Sequence, residues 1–183
     1  MARKVRLVVV CEDLMHEVFA RAFLYRRGMK RHQLTFKSAP QGDAKQYVCT
    51  EVCCELTELR RSSGTNRGIL YLIDADNLTV DRRRQTVISA CRKAQVPPPQ
   101  DHEPVFGFIP KWEVENWLAY LRGETVDESS NRYPKYSRCE SEAYPLVEDL
   151  GERCERQSLP DAPPSLQTAC QDYPRFLEWI RSG

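Results

Sequence analysis

The sequence predicts an α/β domain, a mainly parallel four-stranded sheet flanked by helices, with a small helical C-terminal extension. Two observations carry this. Apolar runs of strand length alternate with stretches of helical period through the first two-thirds of the chain, the pattern of βαβ units with right-handed crossovers. Two of those runs, at 5–11 and 68–73, are apolar almost throughout rather than alternating, as in strands covered on both faces.

Residues 5–11 form the first strand. A helix over 14–27 follows, with Leu14, Val18, Phe19, Ala22 and Phe23 on one face and Gly28 where a helix end favours a left-handed residue. Residues 34–38 alternate as a short strand, and Pro40, Gly42 and Asp43 then break the chain. The second helix, 43–60, turns Ala44, Val48, Val52, Leu56 and Leu59 inward and ends in the turn-rich segment 62–66. After the buried strand at 68–73, a third helix over 80–95 points Val80, Val87, Ile88, Cys91 and Ala94 inward and is closed by Pro97, Pro98 and Pro99. Residues 105–109 make the fourth strand, and 111–121 a fourth helix carrying Trp112, Trp117 and Leu118. Beyond Gly123, prolines at 134, 145, 160, 163 and 164 restrict the tail to two or three short helices, the last at 173–180. The division expected is 1–122 for the α/β domain and 123–183 for an extension packed on it.

Of the 183 residues, 41% are hydrophobic and 29% charged, which suits a packed core. No apolar run approaches the ~18 residues of a membrane helix, and the stretch after Arg3, Lys4 and Arg6 is too short for a secretory leader, so a cytoplasmic location is expected. A net charge of +1 gives no argument for nucleic acid, leaving only local clusters: Arg26, Arg27, Lys30 and Arg31; Arg60 and Arg61; Arg82, Arg83 and Arg84. The eight cysteines lack the paired spacing of a zinc site, and most are expected to be small core residues without a disulfide framework. The three tryptophans, Trp112, Trp117 and Trp179, are expected to anchor the core rather than stack on bases.

Chemistry in a parallel sheet gathers at the carboxyl ends of its strands. Glu12 directly follows the first strand; Asp74 and Asp76 follow the third, two apart and therefore able to face one point. Asp-x-Asp alone is often a turn or cap, and a lone Glu12 would be a helix-dipole partner. Together at strand ends, three carboxylates repel one another unless a cation neutralises them, and hard oxygens suit Mg²⁺ or Mn²⁺.

The stretch Val8-Val9-Val10-Cys11-Glu12, followed about sixty residues later by Leu72-Ile73-Asp74-Ala75-Asp76, resembles the Toprim domain, a Rossmann-like fold. The segment from Phe108 to Leu118, with Lys111, Glu115 and Trp117, is similar to one in the overcoming-lysogenization-defect (OLD) family, including small stand-alone members linked to defence against phage. The likeness spans roughly residues 5 to 120, with a weaker echo at Pro164-Ser165-Leu166 and the closing helix. It implies that Glu12, Asp74 and Asp76 hold a metal ion, that Glu115 helps hold a second, and that Lys111 offsets charge on a phosphate. The family's Gly after the first glutamate and its acidic residue four positions on are Asp13 and His16 here, so Glu17 or His16 is the candidate replacement, and one or two ions are open. Arg82, Arg83 and Arg84 are candidates for contacting a nucleic-acid backbone. The resemblance thus implies a Mg²⁺- or Mn²⁺-dependent nuclease cutting DNA, with RNA as the alternative substrate, as the effector subunit of a phage-defence system. No nucleotide-hydrolase phosphate loop occurs in the sequence, so a separate ATPase is the expected partner, through which the chain would oligomerise. Two alternatives stand beside it: a non-catalytic Toprim-fold scaffold binding a partner protein, and a receiver-like domain, which Glu12, Asp13, Asp74 and Lys111 fit loosely.

Overall fold

Residues 5–40, 42–62, 66–130 and 142–182 are described by the structure, a computed structural model. Expectations for Arg3, Lys4, Pro134, Cys139 and the turn at 63–65 lie outside these residues. Four strands, β1 (Arg6–Cys11), β2 (Leu34–Ser38), β3 (Arg67–Leu72) and β4 (Val105–Phe108), form one all-parallel sheet in the order β2-β1-β3-β4. Cys11 pairs in register with both Ser38 and Leu72, so three strands finish on one rim.

The continuous apolar runs divide by parity. Leu7, Val9 and Cys11 face helix α1 (Leu14–Arg26); Val8, Val10, Ile69 and Tyr71 face α2 (Ala44–Arg61) and α3 (Val80–Lys93). The chain after residue 122 does not form a separate packing unit. Helices α4 (Glu115–Leu121), α5 (Ala143–Val147), α6 (Leu150–Glu155) and α7 (Pro164–Arg181) all join the α1-side core. They cover the face of β4, where Phe106 meets Phe176 at 4.9 Å between ring centroids and Phe108 meets Phe23 at 5.4 Å. Each such ring buried contributes about 1.5–3 kcal/mol. Trp117 is fully buried, as expected of an anchor. Trp179 lies across the start of β3, where a Cβ on Gly68 would come within 2.6 Å of its ring.

Several local expectations are corrected. Leu14 is 58% exposed, because it opens α1 at the sheet rim before the helix meets the core. Ala94 is exposed because α3 ends at Lys93, one turn before the prolines, where Gln95 turns left-handed at φ +58°. The fourth helix begins at Glu115 rather than 111, since Trp112 has φ +68° and breaks the helical path. The last helix is twice the expected length. Pro164 suits a first helical position, and Pro174 is tolerated inside. Cys53 pairs with Cys91 and Cys154 with Cys170, contrary to the expectation of unpaired thiols. Adjacent helices bring each pair to a Cα separation of 5.1 Å, within disulfide reach. Cys11 and Cys49 are buried free thiols, as expected. Among the described residues no helix is long and apolar enough to cross a membrane.

Candidate metal centre

Helix α1 leaves β1 on one face of the sheet, while α2 and α3 lie on the other. The loops after β1 and β3 therefore diverge and leave a crevice at the topological switch point. Glu12, Asp74 and Asp76 stand there. The main chain of Glu12 still donates to Leu72 O at 3.2 Å, and Ala75 donates to Pro110 O at 2.8 Å, so both loops are held as strand extensions. Asp76 then adopts φ +50°, a left-handed conformation that aspartate tolerates better than most residues.

Glu12 links the two segments. Its Oε2 accepts the Asp74 main-chain N–H at 2.9 Å, and its Oε1 accepts Lys45 Nζ at 2.6 Å. Lys45, from the first turn of α2, also reaches Asp76 Oδ2 at 3.1 Å. Arg83 approaches the same Oδ2 at 2.9 Å from α3. Two cations thus neutralise the rim carboxylates. Asp74 sits deeper, 5% exposed, with Oδ1 3.0 Å from His16 Nε2. Asp13, the cap of α1, takes His16 Nδ1 at 2.8 Å.

The electrostatics follow from this packing. Burial pushes the Asp74 carboxyl up to about 6; His16 pulls it back, and the negative charges of Glu12 and Asp13 add to the rise. Burial disfavours a charged His16, yet Asp74 and Asp13 outweigh it and hold the imidazole well above its ordinary range. Glu115 is pushed up to about 7, mainly by burial and then by Glu113, Asp74 and Asp13. It lies near enough to the cluster to feel its charge.

The remaining candidates are placed as follows. His16 is brought to the cluster, but both its ring nitrogens are engaged by carboxylates, which leaves none aimed at an ion. Glu17 turns instead toward β2, bound by Arg21 and Ser38. Lys111 donates to the carbonyls of Asp76 and Leu78 and lies over the Trp112 ring, so it clamps the Asp76 loop from behind. The arginine triplet splits: Arg82 is exposed, Arg83 enters the cluster, and Arg84 points to Asp172 of α7 at 3.4 Å. Sequence reasoning missed Lys45 and the holding role of Asp13. A helix-start lysine just past the β2 rim was the available signal for the first.

Hard carboxylate oxygens from two strand ends are the donor set a divalent ion takes. Among the described residues, however, no three His, Cys, Asp or Glu side chains stand ready around one point, since Lys45 occupies the space between Glu12 and Asp76. Comparison with family models, curated proteins and solved structures returns no match.

Proposed function

We propose that this chain is a divalent-metal-dependent phosphodiesterase of the Toprim kind, cutting DNA, with RNA as the alternative substrate. The observation that carries it is the meeting of Glu12 with Asp74 and Asp76 at the β1/β3 switch point. Glu12, Asp74 and Asp76 would hold Mg²⁺ or Mn²⁺, with Glu115 available to a second ion. Burial chiefly raises the Asp74 and Glu115 carboxyls and neighbouring acids add to the rise, so a cation held beside them would be favoured, which supports the reading. Bound there, such an ion would polarise the phosphoryl oxygens and lower the pKa of its bound, attacking water.

The chain's own residues do the rest. His16 holds one Asp74 oxygen and leaves the other free to turn outward. Lys111 fixes the loop that presents Asp76, and Arg83 keeps that carboxylate from swinging into solvent. Lys45 would give up its place between Glu12 and Asp76 to such an ion and would remain at the rim as a phosphate contact. In this reading the nuclease is a phage-defence effector working beside a separate ATPase.

A second reading has a specific observation in its favour. Lys45 and Arg83 already balance Glu12 and Asp76, as a scaffold without chemistry would require. Plasmid and single-stranded DNA, each incubated with the purified protein and Mn²⁺ or Mg²⁺, beside Asp74→Ala and Asp76→Ala, separate the two. Cleavage that is lost in both variants is expected. Intact plasmid and intact single-stranded DNA in every lane, with the ATPase partner added, leave the scaffold.

A further inference from the structure

A cleft of about 940 Å³ runs along the seam of α2 and α3, and two of its lining side chains, Lys45 and Arg83, contact the rim carboxylates. Its head is formed by Lys45 and Arg83, the two side chains that also touch Asp76. Arg82 lies beside them and Lys93 near the far end. These four cations face a single lining carboxylate, Asp43, whose oxygen already caps α2 through Gln46 N. Arg82 and Lys93 are exposed and make no ion pair among the described residues. Between the charged ends the walls mix hydroxyls and amides, such as Thr50, Thr57, Gln85 and Ser89, with apolar side chains such as Ala90 and Val96.

The dimensions restrict the occupant. Lys45 to Thr57 on one wall and Arg82 to Lys93 on the other each span about 16–18 Å at ~1.5 Å per helical residue. That length holds about five phosphates at the ~3.4 Å per-strand spacing of B-form DNA, and fewer on a stretched strand. The volume is that of a small-ligand cleft, too small for a duplex. No aromatic side chain is among its lining residues, so the contacts available are to phosphate and sugar rather than to stacked bases. The Cys53–Cys91 pair joins the two walls and fixes their spacing.

We infer that the α2/α3 cleft seats a single nucleic-acid strand by its phosphates and leads it to the rim of Glu12, Asp74 and Asp76. The inference rests on the nuclease reading and names the path its substrate takes. It makes the strand, not the duplex, the species held at the site, and it makes recognition sequence-tolerant.

Cys54 is an exposed free thiol in the cleft wall and serves as a built-in reporter. The full chain in EDTA is titrated with a fluorescein-labelled oligothymidylate and read by anisotropy. Wild type should bind, and the Arg82→Glu/Lys93→Glu pair should lose tenfold or more in affinity, with a shallower salt dependence. Both positions are exposed, and matching circular dichroism and urea midpoints confirm that the variant is folded. Saturating oligonucleotide should also protect Cys54 from iodoacetamide, read by peptide mass mapping. Equal binding by wild type and variant, no binding by wild type, or undiminished Cys54 alkylation overturns the inference. Protection of Cys54 by an acidic helical peptide but not by the oligonucleotide overturns it too, in favour of a protein partner. Cleavage with Mn²⁺ is scored separately. Cleaved DNA with unprotected Cys54 sinks the cleft and spares the nuclease; protected Cys54 without cleavage does the reverse.

Discussion

The carboxylate of Glu12 accepts the main-chain N–H of Asp74 at 2.9 Å, across the seam between the first and third strands. That bond ties the loops after β1 and β3 into one surface and satisfies a donor on a residue only 5% exposed. Glu12→Ala should therefore destabilise the fold by about 1–3 kcal/mol, the cost of stranding a buried donor. Glu12→Gln keeps an acceptor and should recover most of that loss while remaining inactive on DNA. Urea unfolding of the three proteins reads the first effect, and an Ala variant as stable as wild type would remove Glu12 from its bridging role.

Lys45 sits between Glu12 and Asp76, the place of the proposed divalent ion. Lys45→Met leaves two carboxylates facing each other without their ammonium. In EDTA the variant should lose about 1–2 kcal/mol, limited because the lysine is a third exposed. Mn²⁺ should then stabilise the variant more than wild type, since binding to the folded state adds stability in proportion to affinity. A thermal melt with and without Mn²⁺ measures both. If Mn²⁺ moves neither melt, the cluster is a set of ion pairs and nothing more.

How far the sequence discloses this site depends on distance along the chain. Glu12, Asp74 and Asp76 are readable because each abuts an unbroken apolar strand, and strand ends are where parallel sheets place chemistry. Lys45 is not readable in that way. It reaches the rim only because β2 lies beside β1, a neighbour relation set by the crossover and not by local pattern. His16 was legible as a departure from the Toprim pattern that the sequence resembles, but its two carboxylate partners are 3 and 58 residues away, and only the second requires the fold. Helix α7 was half hidden because Pro174 interrupts a run that packing sustains. The arginine triplet was legible as charge alone, since helical rotation of about 100° per residue sends neighbours in different directions.

The cysteine pairs were equally invisible, with separations of 38 and 16 residues that match no motif. They predict a labelling pattern. In the unreduced, denatured protein Cys11, Cys49 and Cys54 should alkylate, whereas Cys53, Cys91, Cys154 and Cys170 should do so only after reductant. Closing loops of these lengths is worth about 3–4 kcal/mol each in the chain-entropy account, so reduction should lower the melting temperature measurably. Peptide mapping that finds Cys53 alkylated before reduction would refute the α2–α3 pair.

Glu55 offers a test of pH dependence away from the carboxylate rim. It is buried on α2, and burial opposes its charge, but Lys37 and Arg67 both bond it and hold its pKa below the ordinary 4.5. An acid whose pKa is lower folded than unfolded binds fewer protons in the native state. Its contribution is therefore complete at pH values above the unfolded pKa and fades as pH falls through the depressed folded value. Glu55→Gln should cost about 1–3 kcal/mol at pH 7, moderated by the partial exposure of both partners. The gap between wild type and variant should narrow below about pH 4, as Glu55 takes up its proton and comes to resemble glutamine. Urea midpoints from pH 3 to 8 measure it. A gap that stays constant or widens toward acid would show that the Lys37 and Arg67 contacts do not depend on the charge of Glu55, and that its burial on α2 is sustained by packing alone.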